Sequence, residues 1–154
     1  FDRIVEMFGC ERIKTMGDGY MCVSGLPETS PDHAADMARV ALRLRRYLDR
    51  RNAAHTRTWN CRIGIATGSV IGSIVGIQKY VYDIFGPGVN LAARMESMSE
   101  SMQITVSTET YDLLRDDFIM EERGTHTVKG FGEKELYYLE GEKERTTIRR
   151  ENRM

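Results

Sequence analysis

Two short segments hold the residues best suited to chemistry. Residues 12–20, Arg-Ile-Lys-Thr-Met-Gly-Asp-Gly-Tyr, run an apolar/polar alternation into a Gly-Asp-Gly turn, and Tyr20-Met21-Cys22-Val23 follows at once. This is a β-hairpin pattern, with glycines supplying the turn and an acid at its tip. It holds the Asp18 carboxylate on a short, stiff turn, with Lys14 four residues upstream on the strand. A carboxylate and a lysine fixed in that way suit a metal–nucleotide site. Farther along, Asn90 and Arg94 stand four residues apart, so a helix there puts both on one face.

The elements that must position these groups follow from periodicity. Apolar residues at 1, 4, 5 and 8 have a helical period. The hairpin spans 10–25. Ser30-Pro31-Asp32 reads as a helix start, and apolar residues at 37, 40, 41, 44 and 48 predict an amphipathic helix over 33–55. Its arginines Arg43, Arg45, Arg46, Arg50 and Arg51 are expected on a solvated face. Strands are expected at 59–67, 70–76 and 80–85, then a break at Gly86-Pro87-Gly88 and a helix over 89–98. Gly68, Gly72 and Gly76 read either as points of close backbone approach or as glycines of a tight strand turn, the turn being favoured. A strand at 104–107, a helix from a Ser107 or Thr108 cap to about Leu114, and short strands near 118–122, 125–129 and 135–140 complete the pattern. Helices alternating with hairpin-joined strands predict an α/β sandwich with a mixed, mainly antiparallel sheet. The domain is expected over 1–141, with a charged, aperiodic tail over 142–154.

Composition narrows the functional classes. A chain of 154 residues, 41% hydrophobic and 29% charged, has the length and apolar content for one domain with a real core. The net charge of −1 gives no compositional support for nucleic-acid binding. No apolar run reaches bilayer-crossing length, so membrane anchoring would come only from sequence not present here. Cys10, Cys22 and Cys61 are odd in number and lack metal-type spacing, so they read as small buried hydrophobes in a reducing compartment. A cytoplasmic location follows, either of a free protein or of the cytosolic domain of a membrane-bound one. His33, His55 and His126 are scattered among polar residues and are given no chemistry.

Four segments, KTMGDGYM (14–21), RIGIATGSVIGSIVG (62–76), YDIFGPGVNLAARME (82–96) and VKGFGEKELYYL (128–139), occur in an order that resembles the class III adenylyl/guanylyl cyclase catalytic domain. The resemblance implies a ferredoxin-like βαββαβ core and an enzyme that cyclises a nucleoside triphosphate. The 3′-hydroxyl attacks the α-phosphorus and pyrophosphate leaves, assisted by two Mg²⁺ or Mn²⁺ ions.

The same resemblance assigns roles residue by residue. Asp18 matches a metal-binding aspartate, Lys14 a base-selecting lysine and Asp83 that lysine's partner. Asn90 matches a ribose-orienting asparagine, Arg94 the arginine that stabilises charge on the α-phosphate, and Lys129 a triphosphate-binding lysine. Adenine offers an acceptor at N1 and a donor at N6, which a lysine and an aspartate complement, so ATP is the expected substrate and cyclic AMP the product. In this family the metal aspartates and the other groups come from opposite protomers. A chain with groups of both kinds is therefore expected to form a head-to-tail homodimer.

The family also has a strand before the first helix that carries another metal aspartate. This sequence opens inside the following helix, so an N-terminally truncated domain lacking that first strand is expected, with its activity as it stands in question. Local alternatives exist for each group: a turn aspartate bonded to its own backbone for Asp18, a solvated strand lysine for Lys14, a loop aspartate for Asp83, a surface pair for Asn90 and Arg94, and an exposed loop lysine for Lys129. At the level of function the alternatives are a guanylate cyclase on the same scaffold and a non-catalytic regulatory or dimerisation module.

Overall fold

The computed structural model describes residues 2–8, 10–16, 19–24, 32–56, 60–68, 71–75 and 81–143. A four-stranded sheet forms the centre, in the order β3(Ile63–Ile65), β6(Ile104–Val106), β8(Gly132–Glu142), β7(Phe118–Val128). β3 and β6 run parallel, and the β6–β8 and β8–β7 pairs are antiparallel. The sheet is therefore mixed and mainly antiparallel, as expected. A parallel pair needs a crossover connection. Here it consists of the β4(Ile71–Val75)–β5(Val81–Phe85) hairpin and α3(Pro87–Ser97).

Helices cover both faces of the sheet. α2(His33–Ala54) buries Ala34, Ala38, Ala41, Leu44 and Leu48 along one stripe, at helical spacing. Its alanines pack with Ile65, Ile104, Val106, Phe118, Tyr137 and Leu139, joined by Leu114 of α4(Thr108–Leu114). On the opposite face Leu91 and Met95 of α3 pack with Val128 and Leu136. Leu136 and Tyr137 are consecutive residues of β8 and enter different cores, as the two-residue period of a strand requires. α1(Asp2–Met7) lies against α2, where Val5 and Cys10 meet Val40 and Leu44. Ser107 caps α4, its hydroxyl accepting from the Thr110 amide.

Several expectations shift in detail. α3 starts at Pro87, two residues earlier than the periodicity suggested, because Pro87 takes the first helical position after a Gly86 cap with φ of 124°. Gly86 supplies a backbone conformation that side chains oppose. The segments expected at 118–122 and 125–129 form one strand, β7, with a register irregularity between Glu122 and Gly124, where Gly124 has φ of 80°. The strands expected on either side of Gly68 do not pair with each other: β3 joins the central sheet, and β4 pairs with β5.

The arginine face of α2 is exposed at Arg43, Arg46 and Arg50, as expected, but Arg45 is half-buried and engages β8. Arg45 donates to the carbonyls of Leu139 (3.4 Å) and Glu140 (2.8 Å), and Arg43 lies 5.9 Å over the Phe8 ring. Arg39 adds a forked pair of bonds to Glu142 at 3.0–3.3 Å. These contacts tie α2 to the end of β8, so Glu142, placed at the start of the expected tail, is the last residue of that strand. Residues 144–154 lie outside the described residues. Among the described residues no helix is long and apolar enough to cross a membrane.

The three cysteines are free thiols. Cys22 donates to the Met37 sulfur at 3.6 Å. Burial, with a smaller contribution from the neighbouring Cys10, pushes its thiol up to about 12. Because the thiolate is the reactive form, iodoacetamide at pH 8 is expected to label Cys22 about 100-fold more slowly in the folded protein than in urea. Peptide mass spectrometry of timed samples measures this. Equal rates would contradict the raised thiol of the half-buried Cys22.

Candidate active site

β1(Glu11–Met16) and β2(Gly19–Val23) pair antiparallel, as the Gly-Asp-Gly pattern suggested, with Lys14 opposite Met21. Asp18 lies outside the described residues. Asp83 sits on β5, opposite Ser73 of β4. β1 and β5 approach each other in space, so the strands bearing Lys14 and Asp83 are neighbours although 69 positions separate the two residues (83 minus 14). From Asp83 the chain passes through Gly86 straight into α3, so this aspartate and the Asn90/Arg94 pair belong to one continuous strand–turn–helix unit.

α3 is amphipathic, and its sheet-facing side is Gly88, Leu91 and Met95. Asn90 and Arg94 lie off that stripe: Asn90 is exposed and Arg94 half-buried. Among the described residues neither side chain holds a hydrogen bond or ion pair, although Arg94 carries five N–H donors. By contrast Arg39, Arg45 and Arg123 are all engaged. A half-buried guanidinium with no internal partner can receive a bidentate anion without first breaking a bond.

Lys129 occupies the turn between β7 and β8. The Phe131 amide donates to the Val128 carbonyl at 2.9 Å, and Gly130 takes φ of 86°. A positive φ at the third position of such a turn calls for glycine. Val128 and Phe131, on either side of Lys129, belong to the same apolar cluster as Leu91 and Met95 of α3. One core therefore anchors both the helix that carries Arg94 and the turn that carries Lys129. Lys129 is exposed.

The C-terminal end of α3 is held by residues that periodicity did not single out. Arg123 donates to the Met98 carbonyl (3.0 Å) and to the Thr105 hydroxyl (3.1 Å), and its guanidinium lies 4.4 Å over the Tyr138 ring. Arg62 pairs with Glu96 at 3.5 Å. No local pattern marks Arg123, because its partners come from distant segments. Among the described residues no group of three or more His, Cys, Asp or Glu side chains forms a metal centre.

The family described as the adenylate and guanylate cyclase catalytic domain matches residues 1–141. The chain belongs to that family. It is 41% identical over 143 residues to an adenylate cyclase of Mycobacterium tuberculosis, covering 93% of this chain and 32% of that protein. It is 39% identical over 149 residues to the receptor-type guanylate cyclase gcy-28 of Caenorhabditis elegans, covering 94% and 12%. The chain thus spans about a third or less of these relatives' lengths. Its fold matches the guanylate cyclase domain of RhGC from Catenaria anguillulae, solved in complex with GTP, at a TM-score of 0.87 and 32% identity, covering 92% of this chain and 78% of that one. The mixed α+β architecture is that of a class III nucleotide cyclase domain.

Met95 is fully buried between α3 and the sheet. Met95→Ala is expected to cost about 2–5 kcal/mol, within the range for such truncations. It should also raise hydrogen exchange of α3 amides above that of β7 and β8. Urea titration and exchange mass spectrometry check the two parts.

Proposed function

We propose that this domain is an adenylate cyclase that converts ATP to 3′,5′-cyclic AMP and pyrophosphate in intracellular signalling. The observation that carries the proposal is the half-buried Arg94, without a partner among the described residues, one turn after Asn90 on the helix that continues from the Asp83 strand. In this reading Lys14 donates to adenine N1 and Asp83 accepts from the N6 amino group. Asn90 orients the ribose through its amide. Lys129 neutralises part of the triphosphate charge. Arg94 donates both arms of its fork to non-bridging oxygens of the α-phosphate as the O3′–P bond forms and the P–O bond to the β-phosphate breaks. It acts where negative charge develops, which is the most effective placement for a fixed cation.

The 3′-hydroxyl proton must leave as the new bond forms. Mg²⁺ or Mn²⁺, two per site and with Asp18 as an oxygen ligand suited to hard cations, would supply the acidity for that loss and screen the departing pyrophosphate when bound. The active assembly in this reading is a head-to-tail homodimer, with Asp18 of one protomer serving the site completed by the other groups of its partner. Its location is cytoplasmic, either as a free protein or as the cytosolic domain of a membrane-bound one.

Guanylate cyclisation on the same scaffold is the second reading, favoured by the presence of guanylate cyclases among the relatives. Guanine presents the reversed donor/acceptor edge, which Lys14 and Asp83 would mismatch. The double substitution Lys14→Glu with Asp83→Ser is therefore expected to lower the ATP/GTP ratio of kcat/KM at least tenfold. An unchanged ratio would remove these two residues from base recognition.

Arg94→Ala is expected to reduce kcat about 100- to 1,000-fold with little change in nucleotide affinity, the pattern of a contact made mainly in the transition state. Steady-state kinetics and equilibrium nucleotide binding on the same preparation separate the two quantities. A non-catalytic module would bind, or fail to bind, identically with and without the substitution.

A further inference from the structure

α3 does not rest on β3 through side chains alone. A Cβ added at Gly64, the middle residue of β3, would lie 2.6 Å from the Ala92 carbonyl oxygen and 2.6 Å from the Met95 carbonyl carbon, and would collide with the Glu96 amide nitrogen. All three atoms are backbone, so no rotamer change relieves the contact. A Cβ at Gly68, just beyond β3, would meet the Gly88 Cα at 3.3 Å. Of the two readings for Gly68, the favoured strand turn gives way to close backbone approach: it faces the first turn of α3, and two glycines meet there because neither carries a side chain.

The positions of these contacts matter for the site. Ala92, Met95 and Glu96 flank Arg94 on both sides, and Gly88 lies two residues before Asn90. The backbone atoms that touch the two glycines are thus those that place the two side chains assigned to the reaction. We propose that Gly64 and Gly68 are positioning residues for cyclisation: they form a side-chain-free seat that fixes the height of α3 and hence the reach of Asn90 and Arg94. The inference rests on the reading of Asn90 and Arg94 given above.

The magnitude follows from the geometry. Ordinary van der Waals contact at an added Cβ begins at 3.4 Å, against the 2.6 Å found at Gly64. A methyl there must lift the helix by about an ångström, and a displacement of that size at a reacting centre costs about 100-fold in rate. Gly68 needs a shift of only a few tenths of an ångström, so its substitution should cost less.

The test uses the full-length protein carrying this domain. Gly64→Ala, Gly68→Ala and, as a control, Gly141→Ala are made in the natural sequence and again in an Arg94→Ala background. A Cβ at Gly141 meets nothing within 4 Å. In the natural background Gly64→Ala is expected to lower kcat about 100-fold with KM changed less than about threefold, Gly68→Ala to lower it about tenfold, and Gly141→Ala to leave it unchanged. In the Arg94→Ala background the Gly64→Ala loss should shrink to under about tenfold, because the group it misplaces is already gone.

A full loss in both backgrounds, or a folded Gly64→Ala protein with natural kcat, would overturn the inference. Thermal unfolding identifies a variant that has not folded. If Gly64→Ala does not fold, Gly68→Ala decides, paired with an Asn90→Ala background because Gly68 meets the turn just before Asn90: a tenfold loss in both backgrounds overturns the seat, and a loss confined to the natural background supports it. Arg94→Ala alone separates the two levels. Natural kcat in that single variant would sink the reading of the site itself, whereas a large loss there with no effect of either glycine substitution would sink only the seat.

Discussion

Backbone meets backbone where α3 crosses β3, and the rest of the site is built outward from that seam. Gly64 and Gly68 let the helix descend onto the strand, and Leu91 and Met95 then reach a core shared with Val128 and Leu136. Close-packed interiors transmit displacement because they have no slack to absorb it. The helix that bears Asn90 and Arg94 and the turn that bears Lys129 are therefore set relative to each other by one small apolar cluster. The Arg62–Glu96 pair and the Arg123 bridge to Met98 and Thr105 secure the far end of α3, away from its Gly86-Pro87 start. A site that recognises a transition state needs such rigidity, since catalysis depends on where groups stand when charge develops.

The opposite face of the sheet has a different task. α2 packs there through alanines, which bring it close to the strands, and its arginines bind outward groups of β8. Arg45 satisfies two main-chain carbonyls and Arg39 meets Glu142 in a forked pair. These contacts tie the end of β8 to α2. β8 sits between β6 and β7, and the Lys129 turn precedes its opposite end, at Gly132. α3 on one face and α2 on the other thus brace the sheet from both layers of the sandwich.

Much of this was legible in the sequence, for identifiable reasons. The β1–β2 hairpin followed from glycines bracketing an acid, and α2 from apolar residues at helical spacing. The Asn90/Arg94 face followed from a four-residue interval. Motif order was sufficient to indicate the family, which the match over residues 1–141 establishes. What escaped were relations between distant segments. Arg45 looked solvated because the carbonyls it binds are 94 and 95 residues away. Gly64 read as part of a strand, and at Gly68 the turn was favoured over close approach, because the helix that presses on them comes later in the chain. The start of α3 was misjudged by two residues because proline at the first helical position carries no periodic signal. Asp18, and with it the metal reading, falls outside the described residues, so its role stands on the motif alone.

Adenylate and guanylate cyclases share this fold and stand among the relatives, so base selection is the distinction that decides the function. Lys14 and Asp83 come from neighbouring strands, and their donor and acceptor order complements adenine. The most direct test is to supply the protein with Mn²⁺ and with ATP and GTP in parallel, and to identify the cyclic product by chromatography and mass spectrometry. The account expects cyclic AMP as the dominant product. Dominant cyclic GMP would contradict the assignment of Lys14 and Asp83, and no cyclic product from either nucleotide by the folded, dimeric full-length protein would contradict the enzymatic reading as a whole.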